Sequence, residues 1–125
     1  MKNQFLIFLL LISTFTFAQT KDNFTVTKNY LHEIQAAVDY APHTKKQKIA
    51  KLNKVIKQGS KQRSLLEKQM KNFKSEKEQQ QIIREFNLIL QAVILLKTDI
   101  NENVQLSEDI EYLNANIPIL LKKLN

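Results

Sequence analysis

Residues 82–100 limit the fold of this chain more than any other stretch. Twelve of the nineteen positions are apolar, and residues 88–96 read LILQAVILL. Density of that kind predicts burial on most sides. A membrane span needs about 20 residues with almost no charge, whereas this segment carries Arg84, Glu85, Lys97 and Asp99. It therefore reads as the central helix of a small helical bundle.

The same three- and four-residue rhythm runs through the rest of the chain. A first helix is expected from Phe24 to Ala41, on Leu31, Ile34, Val38 and Ala41, with Tyr30 and Ala37 widening its apolar face. Pro42 should end it, because the residue before a proline is pushed out of helical geometry. A second helix starts near Thr44, a good N-cap type, and follows a seam of Ile49, Leu52, Ile56, Gly59, Arg63, Leu66, Met70 and Phe73. Gly59 could close one helix with Ser60 capping the next. The seam keeps its phase across Gly59, which favours a continuous helix whose only glycine admits a close neighbour, although glycine in a helix costs about 1 kcal/mol relative to alanine.

A turn is expected at Lys74–Ser75, and Ser75 with Glu78 fits the S-x-x-E capping box. The third helix carries Ile82, Phe86, Ile89, Val93, Leu96 and Ile100, and Asn101 and Asn103 mark its end. Phe73 and Phe86 should pack across the hairpin near its turn. The fourth helix opens at Ser107, with Glu108 and Asp109 where the helix dipole favours negative charge. Its seam of Leu106, Ile110, Leu113, Ile117, Leu120 and Leu124 survives Pro118, so a kinked helix is expected rather than two.

These segments predict an all-α fold, an antiparallel up-down four-helix bundle with a long central hairpin. At 1.5 Å per residue the second and third helices would be about 45 and 39 Å long and the outer two only about 27 Å. The outer helices join the hairpin at its open end. They are therefore expected to fall short of its tip, leaving residues 63–86 to project as a two-stranded coil.

Lys2, the apolar run Phe5 to Ile12 and the small residues of Thr16-Phe17-Ala18 form the pattern of a secretory signal peptide cut after Ala18. Residues 1–18 are read as that signal and 19–125 as one helical-bundle domain, exported to the periplasm or secreted, with no transmembrane span left in the mature chain. With no cysteine, lipidation at the cleavage site, disulfides, thiol nucleophiles and thiolate metal sites all drop out. One glycine and two prolines suit helices joined by short turns.

The formal charge of +7 is unevenly placed. Residues 44–77 hold twelve basic side chains against Glu67 and Glu76, a net of +10. On a helix turning about 100° per residue, Lys54, Lys57, Lys61 and Lys68 fall in one sector opposite the seam, with Lys46, Lys51 and Lys71 beside it. A solvated face is the plain account of such a stripe. The functional account is a docking surface for an acidic protein or an anionic envelope surface, with Lys54, Lys57, Lys61, Lys68 and Lys71 as the binding residues. No aromatic residue interleaves the stripe and the chain has two arginines, Arg63 and Arg84, which argues against nucleic acid as the partner.

Catalytic groups are scarce. His32-Glu33 begins H-E-x-x-H, but the fifth residue is Ala36, so the zinc-protease pair is missing, as is the Glu-x-x-His pair of di-iron bundles. His43 lies eleven residues from His32. A haem held by one histidine and Met70 would sit in the narrow tip, away from the wide core. Ser60, Ser64, Ser75 and Ser107 read as caps or exposed helix residues, and one glycine rules out a glycine-rich phosphate loop. No cofactor is expected. Tyr30, Tyr40, Phe73 and Phe86 could line a ligand cleft, though aromatics at helical spacing more often fill a core.

The expectation is a non-enzymatic binding, adaptor or chaperone-like protein of the cell envelope, docking through its basic second helix and the hairpin tip. Two alternatives stand beside it. One is a carrier of an apolar small ligand held between the helices at residues 88–96. The other is a structural homodimer paired through Leu65, Leu66, Met70 and Phe73.

Overall fold

The computed structural model describes residues 23–39, 44–103 and 107–125. They form four helices: α1 (Thr25–Asp39), α2 (Lys45–Met70), α3 (Glu76–Glu102) and α4 (Ser107–Lys123). Packing joins α1 to α2, α2 to α3, α3 to α4 and α4 back to α1. This closed ring of neighbours in chain order is an up-down four-helix bundle. The expected signal segment, Pro42, His43, Tyr40, Ala41 and Leu106 lie outside the described residues.

Local chemistry sets the helix ends. Thr44 Oγ1 accepts the Gln47 amide at 3.2 Å to cap α2. At the start of α3 the capping box is complete: Ser75 Oγ accepts the Glu78 amide at 3.2 Å, and the Glu78 carboxylate accepts the Ser75 amide at 3.3 Å. The Ser75 hydroxyl also donates to Glu78 Oε1 at 2.9 Å, and this bond, joined by the one from the Ser75 amide, holds the Glu78 carboxyl below its usual value. Asn103 closes α3 in the left-handed region, φ 58°, with its amide turned back to the Asp99 and Ile100 carbonyls. Asparagine tolerates that region better than most residues. The α4 helix runs through Pro118.

The apolar seams become the core. All six members of the α3 seam, from Ile82 to Ile100, are buried, as are Leu31, Ile34 and Val38 of α1 and Leu113, Ile117, Leu120 and Leu124 at the C-terminal end. Each such side chain contributes about 1.5–3 kcal/mol when fully removed from water. On α2, Leu52, Leu66 and Met70 are fully buried while Ile49 and Ile56 are partly so. The helix passes unbroken through Gly59, as its phase requires. A Cβ added at Gly59 would stand 3.2 Å from both Leu90 methyls and 3.5 Å from the Tyr30 hydroxyl. The missing side chain lets α1 and α3 close on α2 at one level.

Three expectations are corrected. The hairpin tip does not project. Phe24, just ahead of α1, packs edge-to-face on Phe73 with ring centroids 6.4 Å apart, and Lys74 Nζ donates to the Lys123 carbonyl at 3.0 Å. Lys123 also pairs with Glu85 of α3. The outer helices are indeed shorter, but they are set toward the tip. At the open end the gap is bridged by long lysine arms: Lys48 donates to the Ala37 and Val38 carbonyls, and Lys45 to the Asn101 carbonyl at 2.7 Å. Second, Phe73 and Phe86 do not pair. Phe86 packs instead on Tyr30, centroids 6.0 Å apart. Third, residues 88–96 are not buried all round: Leu88, Ile94 and Leu95 are 41%, 47% and 54% exposed. They lie off the seam of Ile89, Val93 and Leu96, and with four helices in a ring each helix keeps one outward side.

Candidate docking face

The buried seam of α2 fixes where its lysines go. With Leu52, Val55, Gly59, Leu66 and Met70 inside, residues half a turn away face out, and Lys54, Lys57, Lys61, Lys68 and Lys71 are all exposed. Among the described residues none of these five takes part in an ion pair or hydrogen bond. Glu67 is the one exposed carboxylate on the helix. The five span residues 54–71, about 26 Å of helix.

The rest of the basic excess in residues 44–77 is partly spent on the fold. Lys48 and Lys45 cap the C-terminal carbonyls of α1 and α3, where a helix dipole favours a cation. Lys45 reaches the Asn103 side-chain oxygen as well, at 3.1 Å. Burial pulls the Lys48 ammonium below the usual lysine value, with Asp39 opposing that shift. Arg63 Nη1 donates to Asn87 Oδ1 at 3.3 Å across the α2–α3 seam. Lys74 lies 5.9 Å from the centre of the Phe24 ring. The net charge of residues 44–77 includes these four along with the stripe, and the seam already holds Arg63. Their positions nearer the seam than the stripe were the available signal, since such a lysine or arginine must reach a carbonyl or leave the interface.

The α2 stripe borders two further features. A cleft of about 300 Å³ between α1 and α2 is lined by Glu33, Ala36, Ala37, Lys51, Lys54 and Val55, so Lys54 stands beside a carboxylate at one edge of the stripe. On the other side, the outward face of α3 carries Leu88, Ile94 and Leu95. Composition could not separate these three from the core, although their offset from the α3 seam did mark them.

The other candidates are resolved by their surroundings. His32 is exposed, with Nδ1 2.9 Å from Gln35 Oε1. Among the described residues no cluster of three His, Cys, Asp or Glu is placed to hold a metal ion, and no helix is long and apolar enough to cross a membrane. Tyr30 and Phe86 fill the core instead of lining a cleft, and the Tyr30 hydroxyl donates to the Val55 carbonyl at 2.5 Å. At the level proposed for a carried ligand, Ile89, Ala92, Val93 and Leu96 pack in the core while Leu88, Ile94 and Leu95 face outward. The homodimer reading loses Leu66 and Met70, which are fully buried, and keeps the half-exposed Phe73 and the partly buried Leu65.

No known family matches the chain, and neither the curated proteins nor the solved structures include one that is similar to it. The described residues thus form a small all-helical bundle without a recognisable catalytic motif.

Proposed function

We propose that this is an exported, non-enzymatic binding protein of the cell envelope that docks an anionic partner through the lysine face of α2. One observation carries the reading: five lysines stay exposed and unengaged on one side of α2, while neighbouring basic groups are committed to capping and bridging. Lysine is a flexible, solvated point charge that attracts an anionic surface without fixing its geometry. The hairpin tip is not part of this proposal, since the ends of α1 and α4 cover it.

The test is charge reversal. Replacing Lys54, Lys57, Lys61 and Lys68 with glutamate should abolish crosslinking capture of the partner from the envelope fraction. Capture at the wild-type level would reduce the stripe to a solvated face. Export rests on Lys2, the Phe5 to Ile12 run and Ala18. The mass of protein recovered from the envelope of an expressing cell should begin at Gln19, and an intact Met1 would remove the export part of the reading.

A further inference from the structure

The outward face of α3 lies next to the lysine stripe and differs from it in chemistry. Its exposed residues between positions 79 and 98 include Arg84, Leu88, Gln91, Ile94 and Leu95 but no carboxylate. Glu85 is half-buried and paired with Lys123. The α2 contacts locate this face. Leu90 meets the Gly59 position and Asn87 accepts from Arg63, so Ile94, one turn beyond Leu90, borders α2. Stepping back by threes from Arg63 through Ser60 leads to Lys57, round the α2 surface from that contact and into the stripe. Leu88 and Leu95, two turns apart, lie toward α4. They follow Glu85 by one turn and precede Asp99 by one turn, and those two carboxyls meet Lys123 and Asp109 of α4. The outward ridge of α3 is therefore the surface neighbour of the lysine stripe, with Ile94 on the slope next to α2 and Leu88 and Leu95 on the slope toward α4.

Resting on the docking reading above, we propose that its anionic partner is a lipid bilayer: the α2 lysines attract phosphate-bearing headgroups while Leu88, Ile94 and Leu95 enter the headgroup–acyl boundary. The face itself decides between a bilayer and an acidic protein. Protein interfaces concentrate aromatic residues, methionine and arginine at their centres and are poor in lysine. This side has five lysines, three aliphatic residues, one arginine, one exposed carboxylate, Glu67, and no aromatic ring. A bilayer needs no matched geometry from its ligand. Each lysine near an anionic surface adds to the attraction, and aliphatic side chains add area that buries in the boundary. The absence of exposed carboxylate across the middle of α3 removes the repulsion that an anionic surface would otherwise meet.

The experiment is sedimentation of the chain, as processed by its expressing cell, with vesicles of phosphatidylglycerol in phosphatidylcholine and with vesicles of phosphatidylcholine alone. Binding should require the anionic lipid and weaken at high salt. The Lys54, Lys57, Lys61 and Lys68 reversal should lower the partition coefficient on the order of a thousandfold, and joint replacement of Leu88, Ile94 and Leu95 by glutamine about tenfold. Because the chain has no cysteine, Leu95→Cys can carry a polarity-sensitive fluorophore. Its emission should shift to the blue on anionic vesicles, while a label on Glu111→Cys, exposed on α4, should not move. Wild-type partitioning of the glutamine variant together with an unshifted Leu95→Cys label would overturn the insertion and leave lysine docking standing. Equal sedimentation with both vesicle types, alongside lysine-dependent crosslinking to an acidic protein, would overturn the bilayer but keep the docking face. Loss of neither binding nor capture on charge reversal would overturn both.

Discussion

The Tyr30 hydroxyl of α1 donates to the Val55 carbonyl in the middle of α2, 2.5 Å away, one turn before Gly59. That carbonyl also accepts an amide within its own helix, so the bond from Tyr30 is a second one, inside the core. Tyr30→Phe should cost about 1 kcal/mol in denaturant unfolding with no loss of helical signal. The same site sets an alkaline limit. Burial, helped by the Glu33 carboxylate, pushes the Tyr30 hydroxyl up to about 12, against about 10 in an unfolded chain. The folded state therefore holds this proton more tightly. Its contribution to stability is complete below about pH 10 and is lost as the pH climbs to about 12. Tyrosinate absorbance should show one of the three tyrosines titrating late, and Tyr30→Phe should flatten the loss of stability across that window.

Gly59 offers a test of close approach. Alanine gains about 1 kcal/mol of helix propensity but must press the Leu90 methyls aside from 3.2 Å. Gly59→Ala should accordingly leave the unfolding midpoint nearly unchanged. Gly59→Val adds branched methyls against both the Leu90 side chain and the Tyr30 hydroxyl and should cost about 2 kcal/mol. A gain in stability for valine would mean that α3 does not approach α2 at this level.

The covered tip is checked by two aromatic residues with different burial. Phe24 is 4% exposed and Phe73 51%. Phe24→Ala should cost about 3 kcal/mol, whereas Phe73→Ala should cost about 1 kcal/mol, in keeping with a half-exposed ring that mainly contributes an edge-to-face contact. Equal and negligible effects would be the signature of a free, projecting hairpin.

Asp109, in the first turn of α4, carries the second pH dependence. Partial burial, a hydrogen bond to Asp99 and the negative charges of Asp99 and Glu108 push its carboxyl up to about 6, from about 3.9 when unfolded. The folded state prefers the proton. The contribution of this site is thus full below about pH 4 and falls away as the pH rises through about 6. Asp109→Asn should raise the melting temperature at pH 7 and change it little at pH 4, as scanning calorimetry at the two pH values would show.

The sequence made the helices and their inward faces readable to different depths. Every seam residue of α3 is buried, Ser75 and Glu78 form their box, and α2 continues through Gly59. Those features are set by neighbours within one or two turns, where spacing is a sufficient guide. The placement of α1 and α4 along the hairpin was not readable. It depends on Phe24 meeting Phe73 and on Lys45 reaching the Asn101 carbonyl across the open end, contacts between residues far apart in the chain. The stripe itself, Lys54 to Lys71, followed from spacing alone. Its aliphatic neighbours on α3 are marked only by their offset from the seam, because composition alone assigns every leucine and isoleucine of that stretch to the core.

Asn23 and Asn125 line one and the same cleft at the tip, beside Phe73 and Lys74. A short peptide splicing the two would leave every helix beside its present neighbours, and the ring could then be reopened between α3 and α4. A circularly rearranged protein of this kind should fold, and it would carry its new ends to the opposite pole with the basic side of α2 untouched.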